Sequence, residues 1–474
     1  MRIAGCCAAA LFAVGCGGAG SMPAAARCEI TVPTLRTGKL HADGTQLRDE
    51  LGRVVSLRGA NAGSRSKFAP YVPFDFEPGD FPNARDAYLD RAMSLGFDVL
   101  RVPFNWAAVE PSRGADDQVF IHLYDNLLVH AWRRRIRTIV DFHQDVYAEN
   151  FCGDGFPAWT LPGNPPAPHH DCPKWYEAYA TPDVEAAFDR FFAGGSPVQE
   201  DYLALWQRMA ERYRNFEGVI GFEPMNEPSA GSQPPADFER TTLPAFYARV
   251  LPMLRATAPE ALLFVDPLGM TSATHHTNLP KPDGSNIVYA PHYYQPLTIF
   301  GGDGRADLVE DDLRALVAPR EAWGVPAFIG EWGAADSVEG SVDLVAAHLA
   351  AFDALGLGGA QWQYSVAREK WNAEPLDLVR ADGTPSPMAA AWLRPYASAV
   401  DGTIIETTWD PEARRFLLRY RPAGGITEVT VPPGAAPSGW DLRVTGACAD
   451  DGYQGWVFLR ADGAGEVRFE LIAK

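Results

Sequence analysis

The chain has 474 residues and a formal net charge of −19, with 47% hydrophobic and 21% charged residues. This composition is ordinary for a globular protein longer than one typical domain, and the acidic balance argues against binding of nucleic acid and against electrostatic docking to anionic membranes. No Gly-rich phosphate loop and no Cys/His spacing typical of metal sites occurs in the sequence, so we expect neither a cofactor nor a metal.

The first 26 residues are typical of an export signal and a tether. Arg2 precedes the apolar stretch Ile3–Val14, which is too short to span a bilayer. Ala13-Val14-Gly15-Cys16 resembles a bacterial lipobox with Ala where Leu is commoner, and processing there makes Cys16 a lipidated first residue. The alternative is cleavage after residues 24–26, which releases the protein. We therefore expect an exported protein, either a lipoprotein of the bacterial cell envelope or a secreted one.

Strand-like and helix-like stretches alternate from residue 54 to residue 395. A hairpin-like lead-in with turns at Asp43-Gly44 and Leu51-Gly52 comes first. The predicted strands are 54–61, 97–103, 136–143, 218–226, 261–266, 286–292, 325–331 and 359–364, and the predicted helices are 84–95, 121–134, 200–214, 238–257, 306–323, 341–355 and 385–395. Such alternation is typical of βαβ units around a parallel sheet. We predict an α/β fold, a (β/α)8 TIM barrel over residues 27–400 that the last helix closes.

The pattern of the sequence changes after residue 400. Short alternating stretches such as Phe416–Tyr420 are separated by turns, for example at Asp450-Asp451-Gly452. This pattern predicts a small antiparallel β-sandwich over residues 401–474. Trp440 or Trp456 of this domain could bind carbohydrate, but we favour simple packing on the barrel.

The cysteines outside the export signal are expected in an oxidising compartment. Cys28, Cys152, Cys172 and Cys448 allow three pairings. We favour Cys152–Cys172 because that bond would staple the long Pro-rich insert after the third strand, which leaves Cys28–Cys448 to tie the N-terminal segment to the C-terminal domain. The alternative is free buried thiols.

Two acidic motifs carry the chemistry. Glu227 lies in Gly-Phe-Glu-Pro-Met-Asn-Glu-Pro at 221–228, and Glu331 lies in Phe-Ile-Gly-Glu-Trp-Gly at 328–333. Each follows a short apolar run that predicts a buried parallel strand, so each carboxylate is expected at the strand end where α/β barrels build active sites. Two such glutamates about 5–5.5 Å apart are what a retaining glycosidase needs, one as nucleophile and the other as acid/base.

These motifs resemble a known family. Asn226-Glu227-Pro228 followed by Gly330-Glu331-Trp332-Gly333 is similar to the clan of (β/α)8 glycoside hydrolases that includes family five. Further segments match in the expected order, namely 99–103, 141–145, 292–294 and 361–364. The resemblance implies that Arg101 supports the nucleophile and that His143 lies on the substrate side. It also implies that His292 and Tyr294 form the His-x-Tyr of the sixth strand and that Trp362 forms the floor of the sugar site.

Within the family, the details look most like endoglycoceramidases and related glycosylceramidases. The pointers are His143-Gln144-Asp145, the stretch Asn61…Lys67…Pro70-Tyr71 and the small C-terminal domain. The chain departs from that pattern at Gln361-Trp362-Gln363, where those enzymes tend to be richer in aromatics, and in the insert at 150–200.

Each candidate partner also has a physical task. Arg101 is expected as a fixed cation that keeps Glu331 ionised, and Tyr294 as a hydrogen-bond donor to the same carboxylate. The charge of Glu331 keeps Glu227 protonated until the glycosyl-enzyme forms. Hydrogen bonds to sugar hydroxyls are expected from the side chains of Lys67, His143, Asp145 and Asn226.

Aromatic residues crowd the segments after the first and third strands. Exposed on the rim of an active site they would form an apolar surface for a lipid, and the alternative is that they pack the loops or stack on sugars; they are Phe68, Tyr71, Phe74, Phe76, Phe81, Phe151, Phe156 and Trp159.

The sequence therefore predicts a monomeric retaining endo-β-glycosidase that hydrolyses the bond between a glycan and ceramide in glycosphingolipids. We expect it to contact a membrane surface through its lipid anchor or its apolar rim. One alternative is an endo-β-1,4-glucanase or mannanase acting on polysaccharide. The other is a catalytically inactive glycan-binding surface protein.

Overall fold

The computed structural model describes residues 24–31, 36–170, 172–295, 298, 302–368, 374–463 and 465–474. Cys16 and the rest of the expected export signal up to residue 23 lie outside these residues, so the expected lipidation stays a prediction. Among the residues that the structure describes, no helix combines the length and the apolar character needed to cross a bilayer.

Eight parallel strands follow one another around a barrel. The eighth strand pairs with the first, and an isolated parallel bridge between Tyr289 and Ala327 joins the sixth to the seventh, so the barrel is nearly closed. The predicted TIM-type fold is confirmed. In chain order the strands are Arg58–Asn61, Val99–Phe104, Arg137–Phe142, Val219–Glu223, Leu262–Val265, Ile287–Tyr289, Phe328–Trp332 and Gly358–Gln361.

The barrel strands are buried on both faces, which explains their nearly continuous apolar sequences. Side chains such as Ile139, Ile220, Phe264 and Phe328 belong to one apolar cluster. The barrel is therefore a packed core.

Helices surround the barrel where the alternating pattern predicts them. The main ones are Phe81–Ser94, Gln118–Arg133, Pro197–Tyr213, Leu243–Thr257, Val309–Leu316, Ala318–Trp323 and Ser341–Leu355. The single helix expected at 306–323 is divided because Pro319 starts a new helix after Val317. The helix expected at 385–395 was wrong in type, since the structure has a 3₁₀ helix there, Pro387–Trp392.

The insert at 150–200 has structure of its own. It contains the 3₁₀ helices Ala158–Thr160 and Trp175–Ala180 and an α-helix, Pro182–Phe192, which we did not predict. The disulfide Cys152–Cys172 spans its proline-rich part, as predicted. The second predicted disulfide, Cys28–Cys448, is also present.

Two antiparallel sheets form the C-terminal sandwich. The four-stranded sheet contains Gly402–Asp410, Arg415–Pro422, Val467–Ala473 and Trp440–Thr445. The seven-stranded sheet contains Tyr396–Val400, Ile426–Thr430, Trp456–Ala461 and Ala447–Tyr453 together with the three lead-in strands Leu40–Asp43, Gln46–Asp49 and Val54–Val55. The lead-in hairpin therefore belongs to the sandwich sheet.

The strand expected at 54–61 is divided between two sheets. Val54–Val55 pairs with Tyr396–Val400, whereas Arg58–Asn61 pairs with the second and eighth barrel strands. The strand thus leaves the sandwich sheet and enters the barrel within a few residues, which ties the two parts together. Trp440 and Trp456 are half-buried at the sandwich, and the guanidinium of Arg36 lies 5.5 Å from the Trp456 ring centroid.

Candidate active site

Polar side chains gather where the barrel strands end. Glu223 ends the fourth strand and Glu227 follows it, Asp266 follows the fifth, and Glu331 lies in the seventh. Parallel strands direct these ends to one edge of the barrel. One face of the barrel therefore carries an acid-rich pocket.

Glu227 and Glu331 converge, as the sequence predicts. One oxygen of each carboxylate and one ring nitrogen of His292 all lie within 4.8 Å of one another. The Glu331 side chain is only 8% exposed, whereas that of Glu227 is 21% exposed. The separation suits a retaining glycosidase, in which no water fits between the two carboxyl groups before the first step.

Glu331 is held as an anion by its neighbours. Arg101 Nη1 donates to Glu331 Oε1 at 2.9 Å, and the Tyr294 hydroxyl donates to Oε2 at 2.9 Å. Burial raises the pKa of Glu331, but the positive charges of His292 and Arg101 outweigh it and hold the pKa below its usual range. Both contacts expected from the sequence are present, and the site has the ionised carboxylate that a nucleophile requires.

Arg101 is the centre of this end of the barrel. Its guanidinium donates to both oxygens of Glu223 at 2.9 and 2.7 Å, to Asn61 Oδ1 at 2.8 Å and to Asn226 Oδ1 at 2.8 Å. It also lies 3.1 Å from Asp141. A fully buried cation with a planar fork of donors thus fixes side chains from several strands at once.

His292 bridges the two candidate carboxylates. Its Nδ1 lies 2.9 Å from Glu227 Oε1 and 3.6 Å from Glu331 Oε2. Burial lowers the pKa of His292, but the charges of Asp266, Glu331 and Glu227 raise it to about 10. The ring therefore carries a positive charge at neutral pH and donates to Glu227.

A second group of predicted residues lies near these carboxylates. Lys67 Nζ contacts Asp145 Oδ2 at 2.5 Å, and His143 Nδ1 lies 2.9 Å from Asp141 Oδ2. Burial raises the pKa of Asp145, but Lys67 and His143 lower it to about 2. Burial lowers the pKa of His143, which its contacts with Asp141 and Asp145 raise to about 10.

Trp362 lies against this group. Its ring stacks on that of His143, with centroids 5.1 Å apart and planes 10° from parallel, and Lys67 Nζ lies 4.3 Å from the indole centroid. Trp362 is buried, so its expected role as the floor of the sugar site stays a prediction. Asn226 is also buried, and its amide donates to the backbone oxygen of Gln144 at 3.0 Å.

Three donor groups in this region lie close enough to hold a cation. His143, Asp145 and Asp154 offer atoms within 4.8 Å of one another. The Lys67 ammonium already contacts Asp145, so a side-chain cation balances this cluster. The equivalent cluster of Glu227, His292 and Glu331 contains the charged His292 instead.

Sequence reasoning missed several residues of the pocket. Asp266 Oδ2 accepts the backbone N–H of Glu227 at 2.8 Å. Gln144 Nε2 donates to the backbone oxygens of Asn226 and Glu227 at 3.0 and 2.9 Å. Glu374 Oε2 accepts from the Trp362 indole at 3.1 Å. Asp266 carries the same signal as Glu227, a carboxylate after an apolar strand, but Glu374 lies far from any strand and has no such signal.

The aromatic loop residues pack inward. Among the eight residues expected as a possible lipid-facing rim, Phe74, Phe81 and Phe156 are buried and the other five are half-buried. Phe74 contacts Phe76 and Phe81 in one group of rings, and Phe156 stacks on Tyr147. The expectation of an exposed aromatic surface was wrong for these residues, and loop packing is the observed arrangement.

Comparison with known proteins agrees with this geometry. The family model described as cellulase, glycosyl hydrolase family 5, matches residues 68–368, and the model of the glycoside hydrolase family 5 C-terminal domain matches residues 394–468. The chain is 26% identical over 465 residues to endoglycoceramidase I of Rhodococcus hoagii, covering 91% of this chain and 88% of the relative.

Solved structures show the same similarity. Endo-glycoceramidase II from Rhodococcus sp. in its ganglioside GM3 complex has a TM-score of 0.78 and 26% identity, with 91% of this chain and all of that chain covered. The lactosyl-enzyme intermediate of the same protein has a TM-score of 0.76 and 26% identity, with 90% of this chain and 99% of that chain covered.

Proposed function

This chain belongs to glycosyl hydrolase family 5 and is a glycoside hydrolase, and on that premise we propose that it is a retaining endo-β-glycosidase that cleaves between the glycan and the ceramide of glycosphingolipids. The observation that carries the mechanism is the approach of Glu227 and Glu331 oxygens to within 4.8 Å. At this separation one carboxylate reaches the anomeric carbon while the other reaches the leaving oxygen.

In the first step Glu331 is the nucleophile. Its ionised oxygen attacks the anomeric carbon as the bond from that carbon to the leaving oxygen breaks. Glu227 gives its proton to the leaving oxygen, so the aglycone departs as an alcohol. Arg101 and Tyr294 hold Glu331 in place for this attack through hydrogen bonds of 2.9 Å each.

In the second step Glu227 changes from acid to base. Once Glu331 is esterified its charge has gone, and Glu227 takes a proton from a water molecule that attacks the same carbon. The sugar is released with its original configuration and Glu331 returns to its carboxylate form. The greater exposure of Glu227, 21% against 8%, fits a group that must meet both aglycone and water.

The second polar group, near these carboxylates, suits a sugar. Lys67, His143 and Asp145 present charged donors and acceptors next to the Trp362 ring. Charge-assisted hydrogen bonds to hydroxyl groups are stronger than neutral ones, so this group is proposed to bind the sugar at the scissile bond. The glycosphingolipid substrate is proposed by similarity to endoglycoceramidases, whose ganglioside complex has the same fold.

One observation favours a polysaccharide-cleaving endo-β-glucanase or mannanase as a second candidate. None of the eight loop aromatics proposed for a lipid surface is exposed. A lipid aglycone then needs another apolar contact, whereas a polysaccharide does not.

Incubation of the purified protein in detergent with a ganglioside, glucosylceramide, galactosylceramide and a cello-oligosaccharide separates these candidates. Release of an intact oligosaccharide from the ganglioside, lost in Glu331→Ala, is the expected result. Release from the monosaccharide lipids alone would make the protein a simple glycosylceramidase, and cleavage of the cello-oligosaccharide alone would establish the second candidate. Product NMR must show retention, and inverted product would refute the role of Glu331.

Export is part of the proposal. The disulfides Cys28–Cys448 and Cys152–Cys172 are typical of proteins in oxidising compartments. We propose a lipid-anchored protein processed at Cys16, and mass spectrometry of the mature N-terminus tests it. A diacylated Cys16 is expected, whereas an unmodified N-terminus near residue 27 would show release instead.

A further inference from the structure

Asp266 is a buried carboxylate that the mechanism described above does not use. It follows the fifth barrel strand, Leu262–Val265, and is 1% exposed. The Tyr247 hydroxyl donates to its backbone oxygen at 2.6 Å, which anchors it to the helix Leu243–Thr257. A buried carboxylate is costly to maintain without a purpose, so its contacts are informative.

The first contact is with the backbone of Glu227. Glu227 has a φ of +40°, in the left-handed region that residues with a side chain seldom adopt. Asp266 Oδ2 accepts its N–H at 2.8 Å, and Gln144 Nε2 donates to its carbonyl oxygen at 2.9 Å. The peptide groups on both sides of Glu227 are thereby fixed by buried side chains.

The second contact is with the ring that holds the carboxyl group of Glu227. His292 Nε2 lies 3.5 Å from Asp266 Oδ2, while Nδ1 of the same ring lies 2.9 Å from Glu227 Oε1. At this distance the contact is an ion pair, and the attraction between the Asp266 carboxylate and the charged ring holds the imidazole with Nδ1 toward Glu227. The same Asp266 oxygen therefore acts on both ends of Glu227, its backbone directly and its carboxyl group through His292.

We propose that Asp266 is a positioning residue for the acid/base, holding the Glu227 backbone in its left-handed conformation and orienting His292 toward the Glu227 carboxyl group. The proposal rests on the proposed role of Glu227 as acid/base. A positioning role of this kind affects proton donation to the leaving oxygen and leaves the attack by Glu331 almost unchanged.

Two variants separate this role from a structural one. Asp266→Ala removes both contacts, whereas Asp266→Asn has the same shape and keeps an oxygen that accepts the Glu227 N–H. Each variant is assayed with a dinitrophenyl glycoside, whose leaving group needs no proton, and with an alkyl glycoside of the same sugar, whose leaving group does.

Asp266→Ala is expected to lower kcat/KM about 100-fold on the alkyl glycoside and less than about 5-fold on the dinitrophenyl glycoside, since general acid catalysis supplies rate only where the leaving group needs a proton. Asp266→Asn is expected to recover about 10-fold of that loss. A loss of equal size on both substrates, no loss on either, or an Asn variant no better than the Ala variant would overturn the proposal.

Asp98 provides the matched control. It is also a buried aspartate whose Oδ1 accepts a backbone N–H, that of Arg58 at 2.7 Å, but it precedes the second barrel strand at the opposite end of the barrel. Asp98→Asn is expected to change stability without a leaving-group dependence. Glu227→Ala tests the premise separately, because azide must restore its activity if Glu227 is the acid/base; azide rescue combined with unaltered Asp266 variants would sink the Asp266 proposal alone.

Discussion

Two buried ionic clusters lie in different parts of this molecule and differ in their ratio of acidic to basic side chains. Between barrel and sandwich, Arg36 pairs with Glu428, Arg53 with Asp49, and Arg58 and Arg394 share Asp353. At the catalytic end the carboxyls outnumber the cations: Asp141, Asp145, Asp154, Glu223, Glu227, Asp266 and Glu331 face Lys67, Arg101, His143 and His292.

The difference shows how the same chemistry serves two purposes. In the first cluster four guanidinium groups face three carboxylates, so every carboxylate has at least one cationic partner and the cluster holds two parts of the fold in register. In the second cluster, where acids are in surplus, the positive charges of His292 and Arg101 stabilise Glu331 as an anion. The acid-rich cluster therefore keeps an ionised carboxylate, that of Glu331, within 4.8 Å of a second carboxyl group, that of Glu227.

The largest effect is expected from replacing Arg101 in the acid-rich cluster, and Arg58 of the other cluster provides the comparison. Arg101→Lys cannot reproduce contacts to Glu223, Glu331 and their neighbours, so kcat/KM should fall about 100- to 1,000-fold and unfolding should become easier by about 3–5 kcal/mol. Arg58→Lys, which loses contacts to Asp353, should cost about 1–3 kcal/mol and leave kcat/KM per folded molecule unchanged. Steady-state kinetics and urea unfolding measure both.

The contrast would fail in either direction. If Arg58→Lys lowered kcat/KM of the folded protein as strongly as Arg101→Lys, the arginine at the catalytic end would have no special function. If Arg101→Lys affected stability alone, the proposed support of Glu331 would be wrong.

The second effect is on the pH dependence of the free energy of unfolding, which should have opposite signs for one carboxyl group of each cluster. Burial raises the pKa of Asp154 to about 7, so the folded state binds a proton more tightly than the unfolded state, and this contribution to stability is lost as pH rises from about 4 to 7, by at most about 1.4 kcal/mol per pH unit. Burial also raises the pKa of Glu428, but Arg36 and Arg53 outweigh it and lower the pKa, so its contribution is complete above pH 4.5 and is lost as pH falls through the folded-state pKa.

Urea unfolding from pH 3 to pH 8 checks both signs. Asp154→Asn should gain stability relative to the wild type as pH rises toward 7, and the two should converge near pH 4. Glu428→Gln should be less stable than the wild type at neutral pH, and the difference in stability should become smaller as the pH falls. Parallel curves for either pair would contradict the assigned charge state.

A smaller effect separates two buried tyrosines. Tyr294→Phe removes the hydroxyl that donates to Glu331 at 2.9 Å, and since hydrogen bonds to charged groups are worth about 1.5–3 kcal/mol, kcat/KM should fall about 10- to 100-fold. Tyr396→Phe removes the hydroxyl that donates to the Gly96 backbone oxygen, also at 2.9 Å. It should cost about 1 kcal/mol of stability and no activity, as kinetics with a thermal-unfolding control will show; equal kinetic losses would refute the distinction.

The barrel and its two central carboxylates were predictable because their signals are local. Each strand is a short apolar run buried on both faces. Glu227 comes four residues after the strand Val219–Glu223, and Glu331 lies next to the last residue of the strand Phe328–Trp332. The same rule applied to every strand would have found Asp266. The helix Pro182–Phe192 also had a local signal, Pro182 in its first turn followed by Asp183.

Other features depend on contacts that the local sequence does not encode. The hairpin before residue 55 joins a sheet whose other strands lie more than 340 residues away, so nothing near it in sequence indicates its partners. His292 contacts Glu227 from beyond the end of another strand, and Asp266 lies 3.5 Å from the other nitrogen of its ring. The sequence around a loop aromatic such as Phe74 does not indicate whether its ring is exposed or packed, because composition does not determine burial.

The smallest effect concerns Glu374, a pocket carboxyl in hydrogen-bond contact with the Trp362 indole. Burial raises its pKa to about 7, so it gains its charge, and with it acceptor capacity beside the proposed sugar site, as pH rises through neutrality. KM should therefore fall about 3-fold between pH 6 and pH 8 in the wild type, and stay flat over that range in Glu374→Gln, with kcat little changed in both. The control variant Glu428→Gln should keep the wild-type dependence of KM on pH, since Glu428 pairs with Arg36 between barrel and sandwich. A wild-type KM that is already independent of pH would show that the charge of Glu374 does not reach the substrate, and would leave Glu374 only the task of holding the Trp362 indole in place.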